Sequence, residues 1–168
     1  MKLPNNYTTL EILGIAARAE IAAAQYYKKI KSVVHSPALK DKLTFLVNEE
    51  LKHKRMIEDY CRQKFPGIEM APAPSSLVPK PMVPNGKVTV STLLKAAMKA
   101  ELEAEKFYLS LAGNIGDISG SLLLKYMAKV ENSHYQILKN EVELIDQGEK
   151  IKELKTAYQT DKAIHIGP

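Results

Sequence analysis

Six residues stand on stripes where apolar side chains are expected and could do chemistry there. Glu20, Glu50, Glu101 and Glu131, with His53 and His134, recur at steps of three and four among leucines, alanines and tyrosines. One such stripe reads Leu13, Ala16, Glu20, Ala23, Tyr27, Ile30, and another Leu39, Leu43, Leu46, Glu50, His53, Ile57, Tyr60. That spacing puts each set on one face of a helix. Burying an unpaired carboxylate costs several kcal/mol, and four facing one another would also repel. Unless these groups take up protons, something positive must sit between them. Four carboxylates and two imidazoles suit two divalent ions of the iron or manganese kind: two glutamates bridge, while one glutamate and one histidine cap each ion.

The spacing predicts that they meet. Glu50 and His53 are three residues apart and point the same way, and Glu131 and His134 repeat this. Glu20 precedes the turn at Ser36 by 16 residues and Glu50 follows it by 14; Glu101 and Glu131 bracket Gly116 by 15 each way. In antiparallel hairpins all four carboxylates then fall at one level. A gapless shift of 81 residues carries Glu20 onto Glu101, Tyr27 onto Tyr108, Glu50 onto Glu131 and His53 onto His134. The same shift carries Ala16, Ala19 and Ala23 onto Ala97, Ala100 and Ala104. The halves read as one duplicated helical hairpin. Tyr27 and Tyr108, two turns beyond Glu20 and Glu101 on the same face, can each donate a hydrogen bond to a ligand carboxylate.

The elements that must position these residues are four helices, predicted at about 7–35, 37–64, 89–113 and 118–147. Ser36 before Pro37, and Thr89 or Ser91 before Leu93, are N-cap candidates. His35-Ser36-Pro37 interrupts the first half, and the stretch Gly113 to Asp117 interrupts the second. Six of the nine prolines lie between Pro66 and Pro84. No helix runs through them, so 65–88 is an extended crossover long enough to span a helix. The expected fold is all-α: a four-helix bundle of two antiparallel hairpins joined by a long crossover, one domain over 1–168. After Gly148, the run Glu149 to Tyr158 can form a short fifth helix, and Asp161 to Pro168 a loose tail.

As a set, Ala-x-x-x-Glu with Tyr seven residues later, then Glu-x-x-His, a long crossover, and both again, resembles the rubrerythrin-like branch of the ferritin-like superfamily. The resemblance covers about residues 8 to 147. It implies that Glu20, Glu50, His53, Glu101, Glu131 and His134 are metal ligands of a di-iron centre. Manganese or a mixed pair would use the same ligands. It also implies peroxide or dioxygen chemistry, in which the four glutamates and the two tyrosines, Tyr27 and Tyr108, take part. Peroxide-reducing rubrerythrins usually carry a further glutamate three residues after the third-helix ligand; here that residue is Ala104, and the six-ligand set is closer to bacterioferritin-like sites. They also carry a rubredoxin domain with two Cys-x-x-Cys pairs, whereas this chain has only Cys61. The expected function is a di-iron oxidoreductase that takes electrons from a separate donor, such as a rubredoxin-type protein. A ferroxidase or iron-handling protein is the alternative, and a metal-stabilised bundle without turnover is a third reading. The resemblance suggests a homodimer.

A bundle whose glutamates point to solvent is the bland competitor; two Glu-x-x-His pairs at the same shift as two Glu…Tyr pairs argue against it. His35 and His165 read as surface residues, Glu49 and Glu103 as solvated, and Glu141 as lying near a bundle end. Tyr26 and Phe107, which match across the repeat, read as packing residues. Glu105, one turn after Glu101, is the one further candidate ligand. One cysteine allows no intrachain disulfide and no Cys-rich metal site, and points to the cytoplasm. No apolar run reaches the length of a membrane span, and the start of the chain has no signal-peptide core, so no membrane partner is expected. No Walker loop or Gly-x-Gly-x-x-Gly is present. The 24 basic residues outnumber the 19 acidic ones but are spread among them, without interleaved stacking aromatics, so no nucleic acid is expected. Taking four core ligands from the 19 acidic residues leaves 15 against 24 on the exterior, which favours an acidic electron donor.

Overall fold

The computed structural model describes residues 7–70, 78 and 88–164. Four helices follow in order: α1 Thr9–Val33, α2 Pro37–Lys64, α3 Val90–Asn114 and α4 Ile118–Ile164. The fold is a ferritin-like helical bundle, and the described residues contain no strand.

Local sequence explains where the helices start. Thr8 caps α1 in a capping box: its hydroxyl accepts from the Glu11 amide at 3.3 Å, and the Glu11 carboxylate accepts from the Thr8 amide at 2.8 Å. Ser36 caps α2, with Pro37 in its first turn. Thr89 is the cap chosen for α3, and Ser91 is buried inside that helix. Asp117 opens α4 by accepting the Gly120 amide at 2.7 Å. A side chain at Gly120 would collide with Ile115, whose Cδ1 lies 2.7 Å from the place of a Cβ. Gly67, at φ 76°, turns the chain out of α2.

One element differs from expectation. The fourth helix does not stop near Gln147, and Glu149 to Tyr158 is not a separate fifth helix; a single 47-residue helix runs through both. Gly148 had suggested the break. Glycine inside a helix costs only about 1 kcal/mol relative to alanine, which the surrounding Glu, Lys and Leu residues tolerate. The left-handed conformation that would mark a helix end is absent at Gly148. Asp161 to Ile164 continue this helix too, and residues 165–168, with His165, lie outside the described residues.

α1 packs along α2 and α3 along α4, while the two hairpins meet more sparsely. Tyr27 of α1 reaches Glu101 of α3, and Tyr108 of α3 reaches Glu20 of α1. This crossing requires α1 and α3 to be antiparallel. α2 and α3 therefore run the same way, so the 25 residues between them join opposite ends of the bundle. Extended chain covers about 3.3 Å per residue against about 1.5 Å in a helix, so they suffice. Most of that crossover lies outside the described residues; Val78 within it is buried. The apolar core is in two parts. One gathers Leu13, Ile57, Leu111, Leu124 and Met127; the other gathers Ile30, Leu43, Leu46, Leu94 and Leu138. The acidic layer lies between them.

Candidate metal centre

All six predicted residues converge in that layer, each no more than 4% exposed. Nδ1 of His53 lies 3.4 Å from Glu20 Oε2, 3.6 Å from Glu50 Oε2 and 3.5 Å from Glu131 Oε1. Nδ1 of His134 lies 3.1 Å from Glu50 Oε1, 3.2 Å from Glu131 Oε2 and 4.0 Å from Glu101 Oε2. Glu50 and Glu131 thus each turn one oxygen to one histidine and the other oxygen to the other. Glu20 faces only the His53 side, and Glu101 only the His134 side. The imidazole rings are stacked, with centroids 5.6 Å apart.

Two overlapping quartets result. Glu20, Glu50, His53 and Glu131 form one, and Glu50, Glu101, Glu131 and His134 the other; in each, one ligand atom per residue lies within 4.8 Å of the rest. Ligands across an ion bound at about 2.1 Å sit about 4 Å apart, so each quartet fits one ion with little movement. Unsatisfied atoms support the fit. Both Glu50 oxygens, Glu20 Oε2, Glu131 Oε1 and His53 Nδ1 are buried without a hydrogen-bond partner. A buried carboxylate with no partner is costly unless a proton or a cation sits beside it.

The electrostatics say which groups take the protons when no cation is present. Burial, reinforced by Glu50, pushes Glu20 well above the usual carboxylate range, and burial with Glu131 does the same to Glu101. Burial also opposes ionisation of Glu50, but the two histidines beside it, His134 and His53, outweigh it and hold Glu50 at about 2. Glu131 is lowered in the same way. Burial works against charge on the histidines, yet the surrounding carboxylates push His53 up to about 12 and His134 to about 9.

The tyrosines cross between the halves. Each lies two turns from the glutamate on its own helix but donates to the glutamate of the other hairpin, Tyr27 to Glu101 and Tyr108 to Glu20. Burial, reinforced by the neighbouring carboxyl groups, raises Tyr108 well above the usual phenol range, which keeps it a donor.

Other candidates fall outside the cluster. Glu105 accepts from Asn132 at 3.4 Å and belongs to neither quartet. Glu141 is buried and pairs with Lys42 of α2. Glu49 pairs with Lys52 at 3.4 Å on the surface, and His35 is exposed. Tyr26 donates to the Leu93 carbonyl at 3.4 Å. Sequence reasoning missed a cavity of about 40 Å³ that opens between α1 and α3 and reaches the four glutamates of the acidic layer. Ala19, Ala23, Ala100 and Ala104 wall it, with Phe107 and Glu103. The duplicated alanines are visible in the 81-residue repeat, but only the packing of α1 against α3 shows that they leave a space.

A family model described as rubrerythrin matches residues 11–161. A hypothetical protein from Pyrococcus furiosus is 33% identical, with a TM-score of 0.70 over 84% of this chain and 92% of that one. An uncharacterized conserved protein from Magnetospirillum magnetotacticum MS-1 is 21% identical, with a TM-score of 0.67 over 82% of this chain and 95% of that one. A manganese catalase from Anabaena shares the fold at 17% identity, with a TM-score of 0.65 over 84% of this chain and 75% of that one. None of the curated proteins compared matches the chain. With a family match spanning nearly its whole length, over a duplicated Glu/Glu-x-x-His frame, the chain belongs to the rubrerythrin family.

Proposed function

We propose that the protein is a di-metal oxidoreductase that reduces peroxide or dioxygen with electrons from a separate donor protein. The observation that carries this reading is the pair of buried quartets sharing Glu50 and Glu131, open to a cavity the size of a very small molecule. Glu20 and His53 would cap one ion, Glu101 and His134 the other. Two such ions, iron or manganese, would supply electrons and Lewis acidity. Reduction of hydrogen peroxide takes two electrons and two protons and yields two waters. The chain's part is geometric: Tyr27 and Tyr108 hold the capping carboxylates, and the two apolar core clusters close the layer on both sides. The basic exterior suits an acidic donor, whose reduction rate should fall as salt rises.

The test is peroxide consumption by iron-loaded protein with a reduced rubredoxin-type donor. Turnover is expected in the native chain and lost in Glu50→Ala and Glu131→Ala; turnover that survives both substitutions sinks the reading. One observation favours a second reading. Ala104 lines the cavity where peroxide-reducing rubrerythrins usually carry a glutamate, which leaves a six-ligand set of the bacterioferritin kind. A ferroxidase would oxidise Fe(II) in proportion to the iron added and retain or pass on the product, without sustained turnover from the donor.

A further inference from the structure

We propose that the alanine-walled cavity between α1 and α3 is the entrance to the metal centre. Metal ions and the oxidant would pass through it, with Ala23 and Ala104 setting its width and Glu103 standing at its rim. The proposal concerns access and, for the oxidant, rests on the reading of the site given above.

Three observations carry it. The cavity floor is the centre itself: Glu20, Glu50, Glu101 and Glu131 line it, whereas His53 and His134 do not. The histidines close the layer from the α2 and α4 side, which leaves the α1–α3 side as the open one. Glu20, Glu50 and Glu131, which carry buried oxygens without hydrogen-bond partners, are among the residues of this floor. The walls are made of small residues from both helices. Ala19 and Ala23 on α1 are the repeat mates of Ala100 and Ala104 on α3, so both helices present small residues to the same opening. The space of about 40 Å³, which includes the room among the four glutamates, is of the size of ions and of molecules such as peroxide or dioxygen.

The rim breaks the repeat symmetry. The mate of Glu103 is Ala22, so this carboxylate stands on one side of the mouth and has no counterpart on the other. The Glu103 side chain is 53% exposed, with Lys99 3.9 Å away. It is the carboxylate an incoming cation would meet before the buried four. A carboxylate at the mouth of a narrow opening raises the local concentration of cations and speeds their capture.

Metal uptake tests the proposal separately from turnover. Metal-free protein is mixed with Co(II), and binding is followed by absorbance. Ala104→Leu and Ala23→Leu, each adding three carbons to the wall, are expected to slow uptake by about tenfold or more while the final stoichiometry stays at two ions per chain. Glu103→Gln, a change on an exposed side chain that folding tolerates, should slow uptake by about twofold to threefold and flatten its salt dependence. Uptake at the native rate in both Ala104→Leu and Glu103→Gln overturns the proposal. If the leucine variants do not fold, native uptake in Glu103→Gln together with native uptake in the milder Ala104→Val overturns it. In loaded protein, hydrogen peroxide should outpace tert-butyl hydroperoxide, and Ala104→Leu should slow reaction with hydrogen peroxide as well. A native protein that consumes neither peroxide nor dioxygen would end the functional reading and leave the Co(II) result to decide the entrance.

Discussion

The six ligand candidates do not share equally in the two quartets, and that difference can be measured. Glu50 and Glu131 serve both, while Glu20 and Glu101 serve one each. Glu50→Ala should therefore lose both metal ions, whereas Glu20→Ala should keep one. Metal analysis of protein dialysed against a metal buffer distinguishes one ion per chain from none. Equal stoichiometry in the two variants would contradict the bridging assignment. The tyrosines act one step away. Removing the hydroxyl of Tyr27 or Tyr108 leaves a buried carboxylate oxygen without its donor, and loss of such a supporting contact lowers metal affinity by about 10-fold to 100-fold. Because the contacts are reciprocal, Tyr27→Phe and Tyr108→Phe should weaken affinity by similar factors in a chelator competition. The glutamates and histidines were legible because a charged residue on an apolar stripe is a contradiction visible in one helix. The bridging roles were not, since Glu-x-x-His fixes only a shared face. Nor did the spacing of Glu20 and Tyr27 on one helix reveal that their hydrogen bonds cross to the other hairpin. That depends on the antiparallel approach of α1 and α3.

The helices themselves were legible where the backbone is punctuated by residues with a mechanism. Ser36 with Pro37, Thr89, and the prolines from Pro66 onward mark helix ends, because each supplies or removes a specific hydrogen bond. Thr8 is the clearest case: Thr8→Ala removes half of a capping box and should cost about 1 kcal/mol, read as a lower urea midpoint with unchanged slope. Gly148 misled because glycine is a weaker stop signal than proline. It keeps its amide, so the hydrogen-bond ladder of α4 passes through it. α4 spans about 70 Å at 1.5 Å per residue, against about 38 to 42 Å for its neighbours. A Cβ at Gly148 would meet nothing within 4 Å. Gly148→Ala should therefore firm up this end of α4, slowing amide exchange around Glu149 to Lys152 by about fivefold without changing metal binding. Glu103 is solvated as its angle on α3 predicts, but its place at the cavity was not legible. Its angle on α3 gives its direction from Glu101, but not that α1 leaves an opening beside it.

For the whole molecule, the centre ties stability to both pH and metal. Without metal, Glu20 and Glu101 hold protons because they are buried beside other carboxylates, and His53 and His134 keep theirs up to about 12 and about 9. Glu50, lowered to about 2, and Glu131, also lowered, stay ionised. Two neutral acids, two carboxylates and two imidazolium ions leave the layer without net charge, which lets it be buried at all. The four raised groups bind protons more tightly in the folded chain than in the unfolded one. Their stabilisation is full below the unfolded values, near 4.5 for the glutamates and 6.5 for the histidines, and is lost as pH rises through the folded values. Metal-free protein should thus lose stability between pH 6.5 and about 9, by on the order of 1 kcal/mol per pH unit for each proton concerned. Glu50 acts in the opposite sense: its contribution is present above 4.5 and lost as pH falls toward about 2. Two divalent ions carry the charge of the four protons they displace, so metal affinity should rise over the same range in which the metal-free protein weakens. Metal at 100 times its dissociation constant adds about 2.7 kcal/mol, and the gap between loaded and metal-free melting temperatures should widen from pH 6.5 to 9. Calorimetric melts at stepped pH, with excess Co(II) or with chelator, measure that gap. A constant gap, or a metal-free melting temperature that climbs across this range, would show that the acidic layer is balanced by something other than protons and metal.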